Sequence, residues 1–308
     1  MQLSPRLALA LAVPPLLWAG NAVVGRLVVG HFPPLLLNAS RWALALALLL
    51  PLGWRVFRGP AQRARLRRRA PYLALLGLTG VGVYNALQYL ALQTATPLNA
   101  TLIASSSPLW MMAIGATVYG VRPRRREALS ALLSLLGVAV VLSRGSLAAL
   151  AQVQFVPGDL LMLAAIFSWA VYSWLLARPA ASMAASPGEP PAWTWAEFLC
   201  LQMAVGLLWA GGAAGLEALL PPPPVAIRWS PWIVLALVYV AIGPSLIAYR
   251  LWGLGEAGAG PALAAIFSNL TPLFAALLSA ALLGEWPQPY HGLDFALIVA
   301  GIVVSSRR

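Results

Sequence analysis

The sequence predicts an all-α membrane protein with ten transmembrane helices, arranged as two inverted repeats of five helices each. Three observations predict this fold class: the scarcity of charge, ten apolar stretches of membrane length, and a match between the two halves of the chain. Of the 308 residues, 61% are hydrophobic and only 9% are charged, whereas a soluble domain carries about 25% charged residues. So few charges cannot cover a water-facing surface, and most of the apolar surface must therefore face lipid.

Ten apolar stretches are long enough to cross a bilayer, which takes about 20 residues. Their approximate ranges are 6–29, 34–54, 71–93, 97–120, 127–144, 157–177, 195–215, 230–252, 260–283 and 289–306. Backbone groups in hydrocarbon must form hydrogen bonds within their own segment, so each stretch is predicted to be a helix. The first stretch is too long for the core of a signal peptide and is interpreted as a retained span.

The distribution of arginine predicts the orientation. All twenty basic residues are arginines, and sixteen of them fall on the cytoplasmic side if both termini are cytoplasmic, mainly in clusters at 55–69 and 122–126. Because cytoplasmic loops carry the excess of basic residues, we expect a multi-pass inner (plasma) membrane protein with cytoplasmic N- and C-termini. No basic face is interleaved with aromatics, so the expected partner is the lipid bilayer and not nucleic acid.

An internal repeat appears when the chain is shifted by 164 residues, which places 97–123 over 261–287. The matched pairs include Pro97 with Pro261, Pro108 with Pro272, Gly120 with Gly284 and Pro123 with Pro287. The predicted repeats cover residues 1–144 and 157–308. Because five spans is an odd number, the second repeat must be inverted, and the loss of arginine from GVRPRRRE to its partner GEWPQPYH agrees with this inversion.

Several motifs carry a family resemblance. They are LLWAGNAVVGRL in the first span, PPLLLNASRWALA at the start of the second, SSSPLW and SNLTPLFAALLSAALLGE in the fourth and ninth, and LGVAVVLSR and VAGIVVSSR ending the fifth and tenth. This pattern resembles the drug/metabolite transporter superfamily, in its EamA-type ten-helix form, although Val121 stands where the second repeat has Glu285. Within the superfamily the chain is similar to YddG-type aromatic and neutral amino acid exporters. The resemblance implies a basket-like bundle around a central cavity that works by alternating access.

Polar and aromatic side chains inside the spans are the candidate substrate-binding residues, because polar groups in a membrane usually face a cavity or another helix. They are Trp18, Asn21, Arg41, Tyr84, Gln88, Tyr89, Trp110, Trp169, Tyr172, Tyr239 and Asn269. Trp18 and Trp169 occupy similar places in the two halves. Aromatic walls with scattered amide and hydroxyl groups suit a zwitterion with an apolar side chain. Hydrogen bonding between helices is the open alternative for each of them.

Arg41 is the sharpest single candidate, since it lies about 10 Å into the second span. It could hold a substrate carboxylate, snorkel outward, or bind helix-end carbonyls. The acidic residues, Glu256 among them, are all predicted to lie at span ends or in loops. A carrier driven by protons or selective for cationic drugs usually keeps an acid in mid-membrane, so the sequence argues against that class.

The sequence favours export of aromatic or neutral amino acids, or related small metabolites, as the function. The alternative is a carrier for drugs, nucleotide sugars or sugar phosphates. No nucleophile–base pair, phosphate-binding loop or metal cluster is apparent, since Cys200 is the single cysteine and His31 and His291 are the only histidines. We therefore expect no enzymatic activity, no catalytic residues, no cofactor and no metal, and an amino acid-like small molecule as the substrate.

Overall fold

In the computed structural model, the described residues are 4–142, 146, 156–184, 189, 192–219, 225–284, 286 and 289–306. These residues form helices and connecting turns and contain no strand. The α-helices are α1 (Pro5–Leu27), α2 (Pro34–Gly53), α3 (Pro60–Gly77), α4 (Tyr84–Ala91), α5 (Pro97–Ala104), α6 (Ser107–Val118), α7 (Arg125–Leu142), α8 (Pro157–Ala177), α9 (Trp195–Leu219), α10 (Pro231–Ala241), α11 (Ala248–Ala259), α12 (Pro261–Ser268), α13 (Thr271–Leu283) and α14 (Pro289–Ser306).

Six helical stretches are long and apolar enough to cross a membrane. They are Pro5–Leu27, Pro34–Phe57, Pro60–Ala91, Pro157–Ala177, Trp195–Leu219 and Pro231–Ala259. Shorter apolar helices cover Ser107–Val118 and Ile266–Leu282. The predicted all-α membrane fold is confirmed, while the count of ten spans stays a prediction. Residue 144, the predicted end of the first repeat, and Glu285 lie outside the described residues.

The long helices run alternately between two ends of the bundle, as contacts between their termini show. We call the end that holds residues 122–126 the arginine end, and the other the far end. At the arginine end the start of α1 packs on the end of α11, where Gly258 meets Leu7. At the far end the Glu217 carboxylate of α9 accepts hydrogen bonds from the backbone amides of Leu35 and Leu36 at the start of α2. Neighbours α1–α11 and α2–α9 are therefore antiparallel.

The second half of the chain starts at the opposite end from the first. Helix α1 begins at the arginine end, whereas α8 begins at the far end, where the Gly158 amide donates to Thr94 Oγ1 over 3.0 Å just after α4. Tyr72 in α3 then donates to the carbonyl of Leu175 near the other end of α8. This threading agrees with the predicted inversion, and the exact repeat boundaries 1–144 and 157–308 remain our proposal.

Interruptions of the helices fall at matching places in the two halves. The π-helical turns Leu78–Val83 and Ile242–Ile247 begin 164 residues apart, and the same offset relates the breaks at 105–106 and 269–270. Each break is followed by a proline in the first turn of the next helix, Pro108 in α6 and Pro272 in α13. That position needs no backbone donor, so the proline is tolerated there. π-Turns are frequent at functional sites, and these four interruptions surround the centre of the bundle.

Glycines allow α3 and the following π-turn to lie directly against α9. A Cβ atom on Gly206 would come within 2.3 Å of the Val81 side chain and 2.8 Å of the Gly77 carbonyl oxygen. Gly211, further along the same helix, has open space around its Cα. The backbones of α3 and α9 can approach this closely only because small residues line the contact, as is common between membrane helices.

We expect Gly206→Ala to destabilise the protein by about 1–3 kcal/mol, because overpacking must push the two backbones apart. Gly211→Ala is the matched control and should be neutral or stabilising by up to about 1 kcal/mol, since alanine favours the helix. Thermal unfolding of both variants in detergent measures the difference. Equal unfolding temperatures for the two variants would contradict the close contact.

Candidate substrate site

A cavity with a volume of about 800 Å³ opens at the arginine end. We call it the open cavity. Residues from the α6–α7 connection, α8, α9 and α11 line it. They are Met112, Val121, Pro123, Glu127, Tyr172, Trp174, Leu176, Ala177, Arg178, Pro179, Trp195, Phe198, Leu199, Gln202, Tyr249, Arg250, Gly253, Glu256, Ala257, Ala259, Gly260 and Leu263. Its wall is thus mostly apolar and aromatic, with charged groups of both signs.

Trp169 is the centre of an aromatic layer beyond the open cavity. Its ring lies 5.0 Å from that of Tyr172 and 5.5 Å from that of Tyr249, both of which line the cavity. On its other side it lies 5.1 Å from Trp18 and 5.0 Å from Tyr84. Edge-to-face and tilted ring pairs at these distances are attractive. The layer therefore forms a rigid floor between the open cavity and the middle of the bundle.

A second, nearly closed cavity of about 20 Å³ lies on the other side of this layer. Its lining comes from both halves of the chain. The residues are Trp18, Tyr84, Gln88, Thr101, Ala104, Ser107, Ile166, Trp169, Ser268 and Thr271. Ala104 and Ser268, like Ser107 and Thr271, are related by the repeat offset and flank the two helix breaks. This closed cavity therefore sits where the two halves meet.

A buried network of polar side chains surrounds Arg41 on the far side of the closed cavity. The Arg41 guanidinium is fully buried and donates to Asn21 Oδ1 at 3.1 Å, Asn85 Oδ1 at 2.8 Å and Tyr89 Oη at 2.8 Å. Its Nε and Nη2 atoms donate to Ser245 Oγ at 2.9 and 2.7 Å. The network joins α1, α2 and α4 of the first half to the second π-turn.

This network shows what the Arg41 side chain contacts in this conformation. The side chain does not snorkel to the surface, and all three guanidinium nitrogens are already bound to neutral acceptors. Neither cavity includes Arg41 in its lining. Asn21 and Arg41 lie within two turns of the far ends of their helices. In this conformation the hydrogen bonds of Arg41 hold the helices together on the far side, and the cavity opens at the arginine end.

The structure brings most of the predicted site residues together, in three groups. Trp18, Tyr84 and Trp169 line the closed cavity, and Gln88 joins it to the network through Asn21, whose Nδ2 donates to Gln88 Oε1 at 2.8 Å. Tyr89 belongs to the network, where its hydroxyl donates to Asn21 Oδ1 at 2.7 Å. Tyr172 lines the open cavity and donates to Gln202 Oε1 at 2.8 Å.

Three further predicted site residues lie outside both cavity linings and also outside the Arg41 network. Trp110 packs edge-to-face on Phe167, which is exposed at the outer surface of the bundle. Tyr239 donates to the Leu17 carbonyl over 3.0 Å and so joins α10 to α1. Asn269 is fully buried in the second helix break, and its amide has no hydrogen-bond partner among the described residues.

The sequence analysis placed Glu256 at a span end or in a loop, and it did not anticipate that the side chain is buried in the cavity wall. The eighth span was predicted to end at residue 252, but α11 continues to Ala259. Glu256 is therefore helical, only 3% exposed, and part of the open cavity wall. Glycines at 253, 255 and 258 lower the hydropathy of this stretch and hid its continuation.

Two further aromatic residues next to the cavities were absent from the predicted set. Tyr249 donates to the Gly80 carbonyl, and Trp252 lies 5.1 Å from Trp18. The repeat offset offered a signal, because it pairs Asn85 with Tyr249, and the Asn85 amide indeed lies 3.4 Å from the Tyr249 hydroxyl. No group of three or more metal-ligating side chains occurs within the part of the chain that the structure describes.

A multi-pass helical bundle with a central cavity, open at one end and closed by packed side chains at the other, defines the class of membrane carriers. The profile of the EamA-like transporter family matches residues 6–143 and again residues 156–307. The chain belongs to this family. It is a membrane transporter, not an enzyme, and small molecules are its substrates.

Individual relatives are similar over nearly their whole length. An uncharacterized transporter of Archaeoglobus fulgidus is 26% identical, with 97% of each chain covered. The aromatic amino acid exporter YddG of Ancylobacter novellus is 29% identical, with 94% of this chain and 93% of that protein covered. A crystal structure of a protein that is 27% identical superposes with a TM-score of 0.70, covering 97% of this chain and 96% of the other.

Proposed function

We propose that this protein exports aromatic or neutral amino acids, or closely related zwitterions, by alternating access through the central cavity. The observation that carries the proposal is the wall of the open cavity, which combines aromatic rings with one cationic and one anionic group on the same helix. Its volume, about 800 Å³, falls within the usual range for small-molecule sites, about 300–1,000 Å³.

The chemistry of the wall suits a zwitterion with an apolar side chain. Tyr172, Trp174 and Phe198 offer aromatic surface to the side chain. Arg250, half-buried and stacked at 4.8 Å over the Trp195 ring, offers a cation to the carboxylate. Glu256 lies about 9 Å further along the helix axis. The similarity to an aromatic amino acid exporter of Ancylobacter novellus supports the same substrate class.

In this conformation the cavity opens at the end from which an exporter would take up its substrate. The arginine cluster at 122–126 predicts that the arginine end faces the cytoplasm, with both termini on that side. Substrate then enters from the cytoplasm and rests against the aromatic floor. Release to the other side requires the Arg41 network to open while the arginine end closes, and the matching helix interruptions in the two halves provide places for that change.

The proposal is tested by reconstituting the purified protein in vesicles loaded with labelled tryptophan, phenylalanine, threonine or methionine. We expect tryptophan and phenylalanine to leave at least about 10-fold faster than from loaded vesicles that lack the protein. Excess unlabelled phenylalanine in the same vesicles should slow the release of each labelled amino acid. If all four amino acids are released only as fast as from vesicles that lack the protein, the proposal is contradicted.

Carriers of sugar phosphates or nucleotide sugars are the alternative, and they need several inward-facing cations for an anionic substrate. The open cavity balances Arg178 and Arg250 against Glu127 and Glu256. This balance favours a substrate without net charge. A labelled sugar phosphate loaded into the same vesicles should therefore be released no faster than from vesicles that lack the protein.

A further inference from the structure

Glu256 differs from the other acidic side chains that the structure describes. Five of these cap a helix start or pair with arginines. Their partners are the Arg124 amide for Glu127, the Val156 amide for Asp159, the Arg65–Arg68–Arg69 cluster for Glu189, Thr194 for Glu197, and the Leu35 and Leu36 amides for Glu217. Neither carboxylate oxygen of Glu256 has a partner at normal hydrogen-bond geometry, although the Ser173 hydroxyl and the Trp252 indole N–H approach it. No ion pair joins it to an arginine of the described chain.

The surroundings of Glu256 are polar but incomplete. The Ser173 hydroxyl of α8 and the Trp252 indole N–H, one turn back on α11, face the carboxylate and are themselves buried without hydrogen-bond partners. Four potential hydrogen-bonding groups therefore converge on one place in the wall of the open cavity. Buried polar groups are nearly always paired, so this cluster has the composition of a site that a ligand completes.

The position is unfavourable for a negatively charged carboxylate unless a cation joins it. Glu256 lies in the last turn of α11, where the helix dipole opposes a negative charge. Burial of an unpaired carboxylate adds a further large cost. Ionisable residues inside membrane spans are accordingly rare and are usually functional.

We propose that the carboxylate of Glu256 binds the ammonium group of the transported substrate in the open cavity. The ammonium replaces the missing cation and has three N–H donors, enough to engage the carboxylate and the Ser173 hydroxyl together. The substrate carboxylate then faces the Arg250 side of the cavity and the apolar side chain lies on the aromatic floor. This assignment rests on the proposed transport of zwitterions and adds that the amine is the required group.

Three ligands with the same phenyl group separate the contributions of the two charged ends: phenylalanine, phenethylamine, which lacks the carboxylate, and 3-phenylpropionate, which lacks the amine. Their affinities for the purified protein in detergent are measured by calorimetry or by the rise in unfolding temperature on binding. For the unmodified protein we expect 3-phenylpropionate to bind at least about 10-fold more weakly than phenylalanine, since a charge-assisted hydrogen bond is lost.

Glu256→Gln is the decisive variant, because it removes the charge and keeps the shape. We expect it to weaken binding of phenylalanine and phenethylamine by at least about 10-fold and to leave 3-phenylpropionate unchanged or tighter, which also shows that the cavity is intact. Glu197→Gln is the matched control. It lies at the same end but outside the cavity wall, and glutamine preserves its capping interaction with Thr194. All three affinities should stay unchanged in this variant.

The other outcomes are equally informative. If Glu256→Gln binds the amines as tightly as the unmodified protein, the assignment of the ammonium site is wrong, even where vesicle transport of amino acids is observed. A variant that binds normally but no longer transports likewise overturns it and points to a proton-carrying role. If Glu256→Gln weakens binding of phenethylamine but phenylalanine does not bind even to the unmodified protein, the assignment of the ammonium site is supported. The proposal that amino acids are the substrates is then wrong.

Discussion

Replacement of Arg41 by methionine is expected to abolish transport and to destabilise the protein by about 3–5 kcal/mol, the cost of breaking a buried charged network by removing one partner. The side chain is fully buried and supplies five hydrogen bonds to Asn21, Asn85, Tyr89 and Ser245. Without it, these groups keep their burial but lose their common donor. The far side of the bundle then loses the contact that holds its helices together.

Arg26→Met is the control for this variant. Arg26 lies near the same end but makes one described hydrogen bond, to the Leu92 carbonyl at 2.9 Å, so we expect a loss of about 1–2 kcal/mol. Thermal unfolding and vesicle transport are measured for both, together with Arg41→Lys. Lysine keeps the charge but lacks the planar donor fork, and its activity should fall between those of the unmodified protein and Arg41→Met. Full activity and stability of Arg41→Met would contradict the role of the network.

Trp169→Ala is expected to have the second largest effect, a loss of about 3–5 kcal/mol in stability. The ring is 4% exposed and contacts five other aromatic rings at 5.0–5.6 Å. Its removal also joins the open and closed cavities, because this ring lies between them. We therefore expect the variant to lose substrate transport, while the Arg41 network still closes the far side.

Trp209→Ala is the matched control, since the Trp209 side chain is 49% exposed on the outer surface of α9. Its unfolding temperature should change little, as surface substitutions usually cost within about 0.5 kcal/mol. Trp169→Phe should lie between the two, because a smaller ring still fills part of the layer. A Trp169→Ala variant that keeps both its stability and its transport rate would contradict the role of the aromatic floor.

The fold class could be predicted from the sequence because it depends on properties that add up along the chain. Few charges and long apolar stretches leave no alternative to membrane helices. Composition alone does not show the internal repeat, but the shift of 164 residues does. The π-turns and helix breaks of the structure recur at the same offset. The sequence also showed that Trp18 and Trp169 occupy similar places in the two halves. In the structure their rings lie 5.1 Å apart.

The candidate site could be predicted only in part, because residue type and depth do not reveal what a side chain faces. Trp110 and Trp169 are both tryptophans inside predicted spans, yet one faces the outer surface and the other the centre. The hydrogen bonds of Arg41 come from three other segments, and no local pattern predicts that they are already complete. Glu256 was missed because its helix is rich in glycine and its burial comes from tertiary packing, which places Ser173 of α8 beside it.

The most direct test of the central claim, two oppositely threaded halves around one cavity, is cysteine labelling from a single side of the membrane. Cys200 is the only cysteine of the chain and is buried, so Cys200→Ala provides a background without thiols. Arg124→Cys and Trp286→Cys then place single exposed thiols at repeat-equivalent loops. A membrane-impermeant maleimide added to intact cells should label Trp286→Cys and should reach Arg124→Cys only after the cells are opened. Labelling of both positions from the same side would contradict the inverted arrangement and the shared cavity that depends on it.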